Sequence, residues 1–561
     1  MKITKNILLP AGAGIIIRII LFITVLIPAP SVLAAVNIEI SGVEGSLRDE
    51  LRSSITLARQ TEQEFLTPAR IRSLYRRSVM EIENTLKSYG YYDAVIHENL
   101  EQEGDNWVAS FRIETGEPVR IREVNLEISG EGTTDARLQE AVNTFPLKPE
   151  QQLNHESYES GKRRIETLAR ERGYFDAEFT QHTIYIDRAD RYADIRLVFG
   201  SGPRYRFGEI IIPETVVDRI VIDRLIPFSE GDPYDANQLI TLGQRLRASN
   251  YFNEVTVNPE LTDISDNKVP VTVSVTPKPK NSIRMGLGFS TDTGPRLLGA
   301  WESRYFNRQG HRLGSDLKLS QKTNTLSGSY TIPDFRQRAR ELRLLSSLSR
   351  EDLESHTSNI FTFGLQQQQQ RWGWNERLSL SYQYENFEVA DVSNNSNLLI
   401  PGLAYWKTIS DDPIYTNNGL RMNVSARGSV KGALSNLTFL QTVIGAKYIV
   451  SIGNNGRLIT RGEFGATYIP EFDELPASIR FYAGGDNSIR GFDYQTLGPK
   501  NENGDIIGGK YLAVGSVEYE HRFLEKWSAA VFSDFGNAYD DFSEDFVQSA
   551  GVGIRWRTPV G

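Results

Sequence analysis

Cysteine is absent from all 561 residues. That excludes disulfide stapling, thiolate metal sites and an N-terminal lipid-modified cysteine. Histidine is scarce and scattered, with His97, His155, His182, His311, His356 and His521 as the whole set. No HExxH, GxSxG or Walker pattern accompanies them. The expectation is a protein that is not an enzyme and has no metal or cofactor site. A basic surplus is also missing: the formal charge is −9. Nucleic acid is therefore not an expected partner, because phosphate binding needs a basic face. Beyond the N-terminus there is no apolar run long enough for a spanning helix, and the mean hydropathy is −0.37. Composition thus leaves an exported soluble protein or a β-barrel, whose strands are only half apolar.

The N-terminus favours export. Lys2 and Lys5 precede an apolar run that ends near Ile27, and Ser31-Val32-Leu33-Ala34 offers the small residues a signal peptidase reads. Arg18 interrupts the run, which leaves it too short for an anchor. Residues 1–34 are read as a cleaved signal.

From about 36 to 278 the chain repeats itself. "SYGYYDAVI" (88–96), "ERGYFDAEF" (171–179) and "ASNYFNEVTV" (248–257) each follow a helical period and open a strand. Their aromatic pairs begin at Tyr91, Tyr174 and Tyr251, a spacing of about 80 residues that implies three similar modules. In "HESYESGKRRIETLARERG", Tyr158, Ile165, Leu168 and Ala169 share one side and Gly173 stands at the helix C-terminus. Each module reads as a strand, two helices and two strands, with boundaries at 35–116, 117–201 and 202–278. The tyrosines are read as core aromatics, not as chemistry.

After "VTPKPKNS" (275–282) helical periods vanish. In "LRMNVSARGSV" (420–430), Leu420, Met422, Val424 and Ala426 alternate with Arg421, Asn423, Ser425 and Arg427. "ERLSLSYQYE" (376–385) follows the same rule. An apolar-to-aromatic face sustained over many strands, without the apolar surplus to fill a soluble core, predicts a transmembrane antiparallel barrel over 279–561. The pattern shows about fourteen strands. Long polar connections at 385–397, 469–510 and 536–547 are expected on the outside and tight ones such as "NNG" (454–456) in the periplasm. "LQQQQQR" (365–371) lies on a strand, yet its alternation is lost. Asp411-Asp412 before Pro413 reads as a structural turn.

The longest outer connection contains "GGDNSIRGFDYQ" (484–495), an arginine inside a glycine-rich run. Alternation over 511–523 turns Tyr511, Val517, Tyr519 and Phe523 outward and Glu518, Glu520 and Arg522 toward the lumen. An arginine fork holds a carboxylate through two parallel bonds, which lysine does not reproduce. Gly484, Gly485 and Gly491 would let the loop bend sharply.

These residues carry a resemblance. Three modules of the POTRA kind, followed by a barrel in which "GGDNSIRGF" precedes "FSDFGNAY" (532–539), resemble the BamA-type family of outer-membrane assembly and translocation proteins. "GLGFSTDTGPR" (286–296), "WESRYFNRQGHRL" (301–313) and "DDPIYTNNGLR" (411–421) resemble its translocation-and-assembly-module subgroup. The resemblance implies α+β POTRA modules, three in number, followed by a barrel of sixteen strands in the Gram-negative outer membrane, with the modules in the periplasm. It implies a loop tip folded into the lumen, where Arg490, Gly491 and Phe492 meet Asp534, with Gly536 completing that motif and Glu518 as a second acidic partner. On the first barrel strand, Gly286 and Gly288 weaken packing and mark a lateral seam that templates incoming strands. The implied function is insertion of autotransporters and other β-barrel clients. Implied partners are those clients, outer-membrane lipid and a TamB-like, inner-membrane-anchored protein docking on the first module. The alternatives are a two-partner-secretion translocator, which typically carries two modules and a plug helix, and a passive porin, which needs no periplasmic modules. The chain ends "GIRWRTPVG" after the fourteenth strand pattern, so the expectation is a C-terminally incomplete barrel.

Overall fold

The computed structural model describes residues 36–61, 66–104, 106–334, 340–432, 434–541 and 545–557. The expected signal at 1–34 lies outside the described residues. Two compact units divide the chain, 1–204 and 205–561.

The first unit holds two modules. In the first, β1 (Val36–Ser41), α1 (Gly45–Ser54), α2 (Thr56–Thr61), α3 (Pro68–Ser88), β2 (Val95–Glu103) and β3 (Asn106–Glu114) form a sheet of order β1-β3-β2 under the helices. Strand β1 is parallel to β3 and β2 antiparallel to it. The two-helix expectation needs correction here, because extended backbone at Ile55 separates α1 from α2. That turn lets Leu51, Ile55 and Leu57 all enter one core, where each is fully buried. The second module repeats the plan with β4 (Arg120–Ser129), α4 (Ala136–Asn143), α5 (His155–Glu171), β5 (Glu178–Asp187) and β6 (Tyr192–Gly200) in the order β4-β6-β5.

The aromatic repeat has a local cause. Gly90 and Gly173 follow α3 and α5 with φ of 81° and 87°, the left-handed turn that ends a helix. The next residue then bonds back into the helix, Tyr91 N to Leu86 O and Tyr174 N to Ala169 O, both 2.9 Å. This aims the aromatic ring at the module core before the strand begins: Tyr174 is buried and Tyr91 packs on the first core. Burying such a ring is worth roughly 1.5–3 kcal/mol.

Asp135 is the polar hub of the second module. It caps α4 by accepting from Arg137 N and Leu138 N, and it accepts from Arg172 Nε at 3.1 Å and Nη2 at 3.0 Å. Burial acts to raise its pKa, but the Arg172 bonds and charge outweigh that and hold the carboxyl below its ordinary value. Its contribution is therefore present above the unfolded aspartate value near ~3.9 and lost as pH falls through the folded value. Asp135→Asn should destabilise the second module by about 1–3 kcal/mol at neutral pH. That difference should shrink below about pH 4, read by urea-dependent proteolysis of both proteins at several pH values.

The second unit begins with a third module: β7 (Arg206–Ile211), α6 (Arg219–Asp223), α7 (Ala236–Ala248), β8 (Phe252–Pro259) and β9 (Lys268–Pro277), in the order β7-β9-β8. Asn250, at φ 68°, takes the place of the helix-ending glycine. Tyr251 is buried and donates its hydroxyl to Gly310 O at 2.6 Å, in the first module-side turn of the large sheet. Asp218 N donates to Arg308 O at 2.7 Å, and Arg308 Nε returns to Asp218 at 2.9 Å. The third aromatic pair thus joins its module to the sheet that follows.

That sheet has fourteen antiparallel strands in chain order. They are β10 (Asn281–Ser290), β11 (Gly294–Ser303), β12 (Arg312–Ser320), β13 (Thr323–Asp334), β14 (Arg340–Asp352), β15 (Thr357–Arg371), β16 (Trp374–Val389), β17 (Val392–Ser410), β18 (Gly419–Ser429), β19 (Phe439–Ile452), β20 (Gly456–Tyr468), β21 (Tyr511–Leu524), β22 (Trp527–Tyr539) and β23 (Val547–Trp556). The resemblance implies sixteen strands, and among the described residues no ladder joins β10 to β23. Directly paired residues share a face, so the register sets Leu344, Leu365 and Leu380 in one outward row, all three exposed.

The glutamine run now has an explanation. Strand β10 leaves the third module, so β15 descends toward the module side, and Gln366–Gln370 occupy its lower end. Gln367 still stands between the outward Leu342 and Leu378, and one pair lower the row turns polar at Gln369 and Glu376; side chains bond laterally there, Arg340 Nη2 donating to Gln367 at 3.3 Å and Gln369 donating to Glu376. One expected loop is corrected: 385–397 is strand on both sides of a two-residue turn at Ala390-Asp391, whose φ of 50° and 62° suit a tight hairpin. At 536–547, β22 runs on to Tyr539, which shortens that connection. The module-side turn 411–418 is long, and Asp411 and Asp412 fold it by accepting from the backbone of Asn417, Asn418, Ile414 and Tyr415.

Candidate functional site

The connection from β20 to β21, residues 469–510, packs inside the sheet. Ile469, Leu475 and Ile479 are buried against Leu398, Ile400 and Phe439 of the wall and Leu437 just before β19, and Ile489 against Leu512 and Ala538. Sequence alternation did not disclose this apolar lining, because it replaces polar lumen residues only at the far end of β17, β19 and β21. Two buried polar groups fix the base of the loop. Arg480 donates to the carbonyls of Asp473, Leu475 and Ile507 at 2.8–2.9 Å. Glu385, fully buried on the wall, accepts from Ser358 Oγ, Gln383 Nε2 and Ser478 N.

At the tip, Gly484, Gly485 and Gly491 have φ of 99°, 98° and 90°, and Gly485 N donates to Phe492 O at 3.0 Å. This tight turn presents Arg490 to β21 and β22. Its Nε and Nη2 grip the two oxygens of Asp534 at 2.6 and 2.7 Å, and its backbone N donates to the same carboxylate at 3.0 Å. Arg490 Nη1 reaches Glu518 at 2.6 Å, and Nη2 also donates to Ser516 Oγ at 3.0 Å. The guanidinium lies 3.5 Å from the centre of the Phe532 ring. Asp534 is 0% and Glu518 4% exposed, so both charges depend on these partners.

The structure therefore brings Arg490, Asp534 and Glu518 together. Gly536 has φ 128°, and a Cβ there would lie 2.0 Å from Ala513 O. Phe492 contributes its carbonyl to the turn, while its side chain is 37% exposed. Gly286 and Gly288 sit on β10, opposite Leu298 and Arg296, away from the latch residues in the ladder.

Several residues of the network were not singled out from sequence. Arg461 of β20 donates to the tip carbonyls of Asp486 and Ser488 and stands 3.7 Å from Asp534. Arg555 of β23 pairs with Glu518 and Glu520, and Arg457 with Glu520 at 2.8 Å. Inward alternation was the available signal for these arginines. At the other end of the sheet, Asp486 N donates to both oxygens of Asp292 at 3.0 and 3.1 Å, and Thr291 Oγ1 donates to Asp486 at 2.6 Å. Nothing in the sequence pairs those loops. The tip thus touches the first hairpin and the last strands at once.

A sheet with an apolar exterior, a loop fastened in its lumen and three small α/β modules before it defines a POTRA-bearing β-barrel of the outer membrane, its modules in the periplasm. Residues 306–561 match the Omp85 superfamily domain, 37–115 the POTRA domain TamA domain 1, and 119–199 and 205–278 the POTRA family described as surface antigen variable number repeat. Residues 306–561 are thus an Omp85 superfamily domain, preceded by POTRA domains. It is 22% identical over 556 residues to outer membrane protein assembly factor BamA of Nitratidesulfovibrio vulgaris, covering 94% of this chain and 69% of that protein. To the BamA of Neisseria meningitidis serogroup B it is 21% identical over 529 residues, 87% of this chain and 66% of that one. The chain thus spans about two thirds of the length of these relatives. The crystal structure of BamA from Haemophilus ducreyi lacking POTRA domains 1-3 shares the fold, with a TM-score of 0.67 at 16% identity, covering 78% of this chain and 94% of that one.

Proposed function

We propose that this protein assembles β-barrel proteins, autotransporters among them, into the outer membrane, and that it is of the translocation-and-assembly-module type. The observation that carries the reading is the loop tip, which ties Asp292 of the first hairpin to Asp534 of the late strands across a stretch where the described strands share no ladder. Closure that depends on side chains is reversible at lower cost than a full ladder, so the edge of β10 can accept a client strand. A loop packed in the lumen speaks against free passage through the pore. Each module also exposes sheet edges, at β2, β5 and β8, able to hold extended client segments. The names of the two relatives support assembly, and the match of the first module to a TamA-specific POTRA domain supports the subtype. On this reading a TamB-like partner docks on the first module, and no enzymatic step is involved. Deleting the gene in its host should reduce surface display of autotransporters, measured by surface labelling and restored by the intact chain. Unchanged display would overturn the proposal.

A further inference from the structure

Across the lumen face of β18, β19 and β20, three cations stand side by side. Arg421 is directly opposite Lys447, and Lys447 directly opposite Arg461. Like charges in direct cross-strand positions are destabilising. The neighbouring carboxylates do not relieve them. Glu518, Glu520 and Asp534 are shared among four arginines, Arg457, Arg461, Arg490 and Arg555. Among the described residues, Arg421 and Lys447 have no hydrogen-bond or ion-pair partner, and both are exposed to the lumen.

Lys447 opens into a cavity of about 350 Å³ between the module-side turn 411–418 and the loop tip. Lys447, Arg457, Arg461, Arg490 and Arg555 line it, against Asp486 and Glu518 as its acidic residues. Asp486 already accepts from Thr291, and Glu518 is held by two arginines. A cavity with a surplus of fixed cations, one of them the unpaired Lys447, is suited to a multiply charged oxyanion.

We infer that this cavity is a binding site for a phosphoryl group, with Lys447 as its dedicated cation, Arg421 adding positive charge from the neighbouring strand outside the lining, and Arg461 linking it to the loop tip. The ligand chemistry is a phosphate dianion, carried either by a free phosphate or by a lipid headgroup. The test uses the full chain, folded in detergent micelles, and isothermal titration in three arms: inorganic phosphate, inorganic pyrophosphate and dihexanoyl phosphatidic acid. Saturable binding is expected, tighter for pyrophosphate than for phosphate, and weakened about tenfold or more by Lys447→Met, with a smaller loss for Arg421→Met. Lys447→Arg should retain it. Binding confined to the phosphatidic acid arm, with the same loss in the variants, supports the site and assigns the headgroup as its source. Heat-dependent gel mobility equal to that of the native protein shows that the variants are folded. No saturable binding in any arm, or binding that Lys447→Met leaves unchanged in folded protein, overturns the inference.

Discussion

Arg490→Ala should release the lumen loop and lower barrel stability by about 3–5 kcal/mol, the cost of leaving a buried charge without its partner. The size follows from what is left behind. Asp534 is fully buried and would lose three of its donors at once, two from the guanidinium fork and one from a backbone that is no longer held in place. Arg461, at 3.7 Å, is too distant to replace a fork at 2.6 and 2.7 Å. Arg490→Lys should recover only a minor part, because lysine supplies charge but neither the paired donors nor the flat face over Phe532. Asp534→Ala in the Arg490→Ala background should cost less than the two single losses added together, since the pair acts as one unit. Denaturant titration in lipid vesicles reads the stability, and protease sensitivity of residues 469–510 reads the release. Additive losses, or a loop that stays protected in Arg490→Ala, would show that the latch does not hold the loop.

Gly536→Ala should be nearly as damaging, although it adds a single methyl group. The new Cβ would meet Ala513 O at 2.0 Å and Val514 Cα at 2.7 Å, both backbone atoms of the paired strand β21. No side chain can swing aside, and φ of 128° is itself unfavourable for any residue with a Cβ. Relief requires parting β21 from β22 two residues beyond Asp534, so the expected cost is about 2–4 kcal/mol together with a loosened latch. Gly491→Ala is the informative comparison. It also sits at positive φ, but nothing lies within 4 Å of its Cβ position, so it should pay only the backbone strain of about 1–2 kcal/mol. Equal effects of the two substitutions would sink the argument from close approach.

Much of the architecture was legible because it rests on local rules. The strand starts follow from alternation, which burial on one face and lipid on the other impose residue by residue. The three modules follow from a helix stop, Gly90, Gly173 or Asn250, placed immediately before an aromatic that must turn into a core. Alternation misled where the environment changes along a strand: below Gln367 the strand leaves the apolar band, and at 385–397 polar strands extend beyond it and look like a loop. The helix break at Ile55 was hidden for a related reason, since the residues on either side keep an apolar pattern and only the shape of the core demands the turn.

The order of modules and strands, the side of the wall each strand residue faces and the presence of an arginine on a glycine hinge can all be read along the chain. Those properties depend on neighbours within a few residues. Tertiary structure decided that Arg490 grips Asp534 in a bidentate fork, that Asp486 reaches back to Asp292, and that Arg421, Lys447 and Arg461 stand in one row. Each of those depends on strand register and on how a long loop packs its apolar side chains against a curved wall. Such contacts join residues far apart in the chain, and no local periodicity carries that information.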